Sequence, residues 1–207
     1  MTRALLVIDV QESFRQRPLW KAISNPGIAD DVARLVDVAR LVDGVRAGND
    51  LVVWILHSEP GTGGTFDPAS GHVRLMDPLV PGAGEPLFTK TSHNAFTTTG
   101  LQQLLTQRGV TELVICGIRT EQCCETTARV ASDLGYQVTF VTEATATNPI
   151  AHRDAPQEQT VEELLADPRT LPAGAVIERT EYALAGRFAT IATIEEVTGR
   201  PATLTRS

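Results

Sequence analysis

Residues 4–9 read Ala-Leu-Leu-Val-Ile-Asp, a run of five apolar residues that ends at the carboxylate of Asp9. A short continuous apolar run bounded by a polar residue is typical of a parallel strand that is buried on both faces of its sheet. We therefore predict a first strand at residues 4–8, with Asp9 at its carboxyl end. Because sheets buried on both faces are covered by helices, this stretch favours an α/β protein.

Strands and helices alternate along the rest of the chain. Apolar residues recur with helical spacing from Ile28 to Val42, which predicts an amphipathic helix that ends near Gly48 and Asn49. The remaining pattern predicts strands at residues 51–56, 112–116, 137–141 and 187–192, and helices at residues 101–107, 120–134, 161–166 and 193–197. Residues 59–86 are predicted to form a long loop that borders a functional site. The alternation predicts a three-layer α/β/α fold, a doubly wound, mainly parallel sheet with helices on both faces.

The composition excludes several classes of protein. The chain has 207 residues, of which 42% are hydrophobic and 21% charged, and this profile predicts a single globular domain over residues 1–207. The net charge is −7 and the Lys and Arg residues are scattered, so we expect no nucleic-acid binding. The apolar run near the start is too short for a signal peptide, and no run approaches the ~20 residues of a membrane span. Three cysteines without framework spacing fit a reducing compartment. We therefore expect a cytoplasmic protein that does not bind membranes.

Two polar segments are predicted to meet at the carboxyl edge of the sheet, where doubly wound folds bind their ligands. Asp9 follows the first strand, and residues 117–123 follow the strand at residues 112–116 and open the next helix. With Thr120 as N-cap, Cys123 takes the third helical position, where unpaired N–H groups and the helix dipole stabilise a thiolate. A lowered pKa would make Cys123 a nucleophile. The alternative is a small buried hydrophobe, the usual role of cysteine in such folds.

A resemblance to a known family rests on three segments of the sequence. They are LLVIDVQESF at residues 5–14, FTKTSHNAF at residues 88–96 and VICGIRTEQCCETTAR at residues 114–129. The third is followed by Gly135-Tyr136 and by Glu143-Ala144. In this order they resemble the opening strand, the lysine segment and the nucleophile segment of the isochorismatase-like cysteine hydrolases, in their amidase branch. The resemblance covers most of residues 4–144.

The resemblance implies a catalytic triad. Asp9 would be the general base that takes the thiol proton, Lys90 would stabilise the thiolate and orient Asp9, and Cys123 would attack the carbonyl carbon. It also implies a cis peptide bond between Ile118 and Arg119, and an oxyanion hole formed by the backbone amides of Arg119 and Cys123. The implied reaction is hydrolysis of the C–N bond of a small amide, ureide or lactam through a thioester, without a cofactor. Taken singly, Asp9 as a helix cap and Lys90 as a surface residue would be simpler interpretations.

Metal binding and substrate binding receive weaker support. Nicotinamidases of the family carry a metal on an Asp-x-His motif, and no aspartate precedes His57 with that spacing, so we expect no metal. The alternative ligand set is His57, Asp67 and His72. Candidates for the substrate pocket lie on segments that flank the predicted catalytic residues, and these are Gln11, Phe14, Trp20, His93 and Phe96. Arg119 departs from the small residue usual in the family, and its side chain is predicted to contact either a substrate group or another subunit.

Several alternatives stay open. Cys124 would share a helical face with Ala128 and Ala131, and Cys116 lies inside a strand, so both are predicted to be packing residues. There are two competing functions. One is vinyl-ether hydrolysis of the isochorismatase type, which needs no cysteine nucleophile, and the other is that of a noncatalytic binding subunit. The family implies a homo-oligomer, a dimer or a tetramer. Residues 151–182 would be an interface arm, a lid or neither.

Overall fold

The computed structural model describes residues 2–40 and 50–199. Within these residues, the strands form one six-stranded sheet in which each pair of neighbouring strands is parallel. The strands are β1 (Thr2–Ile8), β2 (Leu51–His57), β3 (Leu87–Lys90), β4 (Val110–Ile118), β5 (Gln137–Ala146) and β6 (Thr190–Ala192). The predicted fold class is therefore confirmed.

Helices occupy most of the connections between these strands. They are α1 (Glu12–Arg15), α2 (Ile28–Arg40), α3 (Leu101–Gln107), α4 (Glu125–Asp133), α5 (Val161–Ala166), α6 (Ala173–Leu184) and α7 (Ile194–Thr198), with short 3₁₀ helices at Pro18–Ala22 and Pro68–Ser70. The predicted helix end at Val42, Gly48 and Asn49 lies outside the described residues. None of the helices in the described ranges combines the length and the apolar character needed to cross a membrane.

The sequence pattern did not predict β3 and α6, among other elements, for physical reasons. β3 has four residues and lies at the edge of the sheet with half of its side chains exposed, so it shows no continuous apolar run. The core-facing stripe of α6 includes a polar residue, Thr180, whose hydroxyl bonds to Glu125, and this weakens the apolar periodicity. The strand predicted at residues 187–192 is shorter than expected, because residues 186–189 form a turn closed by the Gly186 amide and the Ala189 carbonyl.

The two faces of the sheet bury separate apolar clusters. On β1, Leu5 and Val7 point to one face, where α2 and Ile194 of α7 pack. Leu6 and Ile8 point to the other face, where α3, α4 and α6 pack. This alternation follows from the period of two in a strand, and it gives the three layers.

The strand order is β3-β2-β1-β4-β5-β6, so the chain runs outward from β1 in one direction and from β4 in the other. The reversal lies between β1 and β4, and in such sheets it opens a crevice beyond the carboxyl ends of the strands. Asp9 directly follows β1, while His57 and Lys90 are the last residues of β2 and β3. The parallel topology therefore brings residues that are distant in sequence to one edge.

Candidate active site

Asp9 lies in a conformation that suits only a few residue types. Its φ is 54°, in the left-handed region that aspartate tolerates better than most side chains do. Its backbone amide donates a 2.8 Å hydrogen bond to the carbonyl of Ile55 on β2. The side chain is fully buried. The end of β1 is thus held against β2, and the carboxylate lies inside the molecule.

Lys90 is a fully buried lysine at the centre of the site. Its Nζ donates to Oδ2 of Asp9 at 2.7 Å and to Sγ of Cys123 at 3.4 Å. The same nitrogen lies 3.4 Å from Nδ1 of His57. The structure therefore brings Asp9, Lys90 and Cys123 together, with one ammonium group between a carboxylate and a thiol.

The turn that carries Cys123 is a π-helical turn, Thr120–Cys124, ahead of α4. The peptide bond between Ile118 and Arg119 is cis. The amides of Gln122 and Cys124 donate to the carbonyl of Arg119, at 3.2 and 3.1 Å. Because the amides of Gln122 and Cys124 already donate to this carbonyl, an oxyanion would have to accept hydrogen bonds from other backbone amides.

The prediction that Thr120 is the N-cap of this helix is wrong. Arg119 occupies the cap position and no side chain caps the turn. The hydroxyl of Thr120 instead donates a 2.8 Å hydrogen bond to Oγ1 of Thr145 on β5. The predicted continuous helix at residues 120–134 is likewise a π turn followed by α4.

Gly117 permits the close contact between β1 and β4 just before the nucleophile turn. Its φ is 130°, and a Cβ at this position would lie 1.9 Å from the carbonyl oxygen of Ile8. Ile8 and Gly117 are direct partners in the sheet. A glycine is therefore needed where Asp9 and the cysteine turn approach each other.

The pKa of Cys123 moves in the direction opposite to our prediction. Burial and the neighbouring Asp9 carboxylate raise the pKa of the thiol to about 12, against the opposing effect of Lys90. Burial also raises the pKa of Asp9 above its ordinary value of 3.8, although Lys90 and Cys123 oppose the shift. Burial would lower the pKa of Lys90, but Asp9 and Cys123 raise it. The resting site therefore contains a protonated thiol beside a lysine ammonium.

His57 is a neighbour of the site that sequence analysis considered only as a metal ligand. Burial and the charge of Lys90 lower the pKa of His57, so its imidazole is neutral at physiological pH. Its Nε2 lies 3.4 Å from Oε1 of Glu59. The position of His57 at the carboxyl end of β2 was the signal that could have identified it.

Gln11 and Phe14, two of the predicted pocket residues, make contacts within the protein. The Gln11 side chain bonds to both backbone groups of His57, accepting from the amide at 2.7 Å and donating to the carbonyl at 3.0 Å. Phe14 packs edge-on against Phe66, with ring centroids 4.9 Å apart.

The other three predicted pocket residues differ in their surroundings. Trp20 packs against the core on the α2 face. Phe96 is buried and stacks on Tyr136, with ring centroids 6.1 Å apart. His93 is exposed. None of these five residues lines the cavity that lies beside Arg119 and Gln122.

A cavity of about 640 Å³ lies beside the cysteine turn. Arg119 and Gln122 of that turn form part of its wall. The rest comes from the 3₁₀ helix Pro18–Ala22 with Arg17 before it, and from residues between 149 and 164 that lead into α5. The first part of the segment 151–182 thus lines a cavity, while α6 packs on α4, where Glu125 accepts hydrogen bonds from Arg179 and Thr180.

The remaining candidates have structural contacts. Asp67 accepts hydrogen bonds from the amides of Gly63 and Ala69, at 2.8 and 3.0 Å. Across residues 2–40 and 50–199, no three His, Cys, Asp or Glu side chains come close enough to hold a metal ion. Cys116 and Cys124 are free, fully buried thiols, and burial raises the pKa of each. Cys124 packs in the same cluster as Ala128 and Ala131.

Comparison with known proteins gives consistent matches. The isochorismatase domain model matches residues 3–182. Streptothricin hydrolase of Streptomyces noursei is 36% identical over 149 residues, which cover 72% of this chain and 51% of that protein. Nicotinamidase 3 of Arabidopsis thaliana is 33% identical over 155 residues, covering 70% of this chain and 73% of that protein.

A solved structure supports the fold. An isochorismatase-family protein from Chromobacterium violaceum superimposes with a TM-score of 0.81 at 23% identity, over 96% of this chain and 92% of that one. The chain spans about half the length of the streptothricin hydrolases that it matches.

Proposed function

The chain belongs to the isochorismatase family, and on that premise we propose that it is a cysteine-dependent hydrolase that cleaves the C–N bond of a small amide. The observation that carries the proposal is the buried Lys90 ammonium, 2.7 Å from the Asp9 carboxylate and 3.4 Å from the Cys123 sulfur. A nucleophile with a base and a cation within reach suits acyl transfer. Relatives named for the hydrolysis of streptothricin and of nicotinamide support an amide as the bond type.

The first step is attack by Cys123 with Asp9 as general base. Oδ1 of Asp9 is buried and has no hydrogen-bond partner among the described residues, so it is available to accept the thiol proton. Because burial and the Asp9 carboxylate raise the pKa of the thiol to about 12, a free thiolate is disfavoured at pH 7. Proton transfer therefore accompanies formation of the S–C bond, while Lys90 offsets the negative charge that builds up on sulfur.

The second step expels the amine and the third releases the acid. The backbone amides of Arg119 and Cys123 donate to the oxyanion as the carbonyl carbon becomes tetrahedral. The C–N bond then breaks, Asp9 returns its proton to the leaving nitrogen, and a thioester on Cys123 is left. Water attacks the thioester carbon and gives a proton to Asp9, the C–S bond breaks, and the proton returns to the sulfur as the carboxylic acid leaves.

The test compares two adjacent cysteines. Ammonia release from a panel of small amides is measured for the wild type, Cys123→Ala and the matched control Cys124→Ala, with intact-mass spectrometry after iodoacetamide treatment. We expect ammonia release and single alkylation in the wild type and in the Cys124 variant, and neither in the Cys123 variant. Undiminished ammonia release by Cys123→Ala would refute the mechanism.

The two competing functions give different results in the same experiment. A vinyl-ether hydrolase of the isochorismatase type would keep its activity after alkylation of Cys123 and release no ammonia. A noncatalytic subunit would turn over no compound of the panel, and its alkylation would show no selectivity for Cys123.

A further inference from the structure

The cavity beside the cysteine turn has an unusual charge balance. Three basic residues line it, Arg17, Lys21 and Arg119, and Glu162 is the only acidic residue among the described residues of its wall. The molecule as a whole has a net charge of −7. A basic cavity in an acidic protein concentrates anions at that place.

Arg119 is a half-buried cation in the wall of this cavity. Within the described ranges its guanidinium forms no ion pair and donates no hydrogen bond. Burial lowers the pKa of Arg119, the Glu121 carboxylate opposes this, and Arg17 lowers it further. Glu121 lies beyond ion-pair distance, and its Oε2 accepts a hydrogen bond from Thr147 instead.

This arrangement is costly unless an anion completes it. A guanidinium carries five N–H donors, and a partly desolvated one whose pKa a second arginine lowers is disfavoured on both counts. A carboxylate between them would accept two parallel hydrogen bonds from the Arg119 fork and relieve the repulsion from Arg17.

The position of Arg119 relates the cavity to the reacting sulfur. Arg119 directly precedes the turn that carries Cys123, and its carbonyl accepts from the amides of both Gln122 and Cys124. Gln122 lines the same cavity. These hydrogen bonds hold the backbone between Arg119 and Cys123 in one conformation, although Asp9, Lys90 and Cys123 do not themselves line the cavity.

We infer that the substrate is an amide whose acyl part carries a carboxylate, which Arg119 binds in the cavity with help from Arg17 and Lys21. This inference rests on the proposed function. A volume of about 640 Å³ accommodates a small molecule of this kind. Arg119 is thus a specificity-determining residue, in addition to any role of its backbone amide.

The experiment measures selectivity within each enzyme, so that a general loss of activity cancels. Ammonia release from succinamate is compared with release from butyramide, an uncharged amide with the same number of carbon atoms. We expect the ratio of kcat/KM values, acid over neutral, to favour succinamate in the wild type and to fall by about 10- to 100-fold in Arg119→Gln. Arg119→Lys keeps the charge but not the fork, and it should restore part of the ratio.

The matched control is Arg108→Gln, an exposed arginine at the end of α3 that does not line the cavity. It should leave the ratio unchanged. Circular dichroism and a urea titration establish that each variant is folded. Equal hydrolysis of the two amides by the wild type would overturn the inference and leave the proposed function intact.

A binding measurement separates failure of the inference from failure of the proposed function. Calorimetry compares succinate with the uncharged diamide succinamide, on the wild type and on Arg119→Gln. Tighter binding of succinate that is lost in the variant supports the anion site, even if no amide is hydrolysed. Equal affinities for succinate and succinamide overturn it.

Discussion

Lys90→Met removes the positive charge from a buried ion pair, and we expect it to lower the free energy of unfolding by about 3–5 kcal/mol. Lys90 and Asp9 are both fully buried, and their charged atoms lie 2.7 Å apart. At an effective dielectric constant of about 20, such a separation corresponds to an attraction of about 6 kcal/mol. Because each ion loses several kcal/mol of hydration on burial, the pair as a whole contributes little, whereas one uncompensated ion costs much.

Asp9→Asn is the partner perturbation. Asparagine tolerates the left-handed φ of 54° at this position, so the substitution changes charge without adding backbone strain. We expect a loss of similar size, since the Lys90 ammonium is left without a counter-ion. The double variant should lose much less than the sum of the two single losses, with a coupling of about 3 kcal/mol.

The assay is urea unfolding at pH 7, followed by circular dichroism, for the four members of the double-mutant cycle. A matched control is the exposed pair Asp167 and Arg169, whose charged atoms lie 2.6 Å apart. Its cycle should show far weaker coupling, because water screens the charges. Additive losses at Asp9 and Lys90, or a coupling no larger than that of the exposed pair, would refute the reasoning.

Further predictions concern protonation and the sheet. Burial favours the protonated form of Asp9, so kcat/KM should rise with pH through a midpoint above 3.8. A midpoint at or below 3.8 would contradict the assignment of Asp9 as the general base. Because the pKa of Cys123 is about 12, its rate of alkylation in the free enzyme should still be rising at pH 9, and a plateau by pH 8 would argue for a preformed thiolate. Gly117→Ala should cost about 3 kcal/mol or more, since its Cβ would lie 1.9 Å from a carbonyl oxygen. The matched control is Gly135→Ala, where the added Cβ meets nothing within 4 Å and only about 1–2 kcal/mol of backbone strain is expected. Urea unfolding measures both variants, and equal losses of unfolding free energy in Gly117→Ala and Gly135→Ala would contradict the close contact at Gly117.

The elements that could be predicted from sequence are those with a strong local pattern. The bounds of Leu101–Gln107 and Val161–Ala166 agree with the prediction, and α2 begins at Ile28 as expected. These helices bury one regular apolar stripe, and β1 is a continuous apolar run. β3 and α6 were missed because one is an exposed edge and the other uses a buried threonine as a contact.

The catalytic roles of the predicted site residues stay a prediction, and the predicted direction of the Cys123 pKa shift was wrong. The structure brings together Asp9, Lys90 and Cys123, and the resemblance, more than the strand pattern, selected Lys90. The predicted depression of the cysteine pKa came from one local feature, the helix N-terminus. Burial acts in the opposite direction and prevails, because the thiol is 8% exposed and lies beside a carboxylate.

By itself, the sequence determined that this is a parallel α/β protein with Asp9 and the cysteine turn at the carboxyl ends of two strands, since a chain's local periodicity specifies its strands and helices. Only the tertiary structure decided that Lys90 is buried between them, that burial raises the pKa of the Cys123 thiol, and that Arg17 and Arg119 line one cavity. Burial, pKa and cavity charge are sums over residues that are distant in sequence, and the strand order that brings those residues together follows from packing of the whole chain.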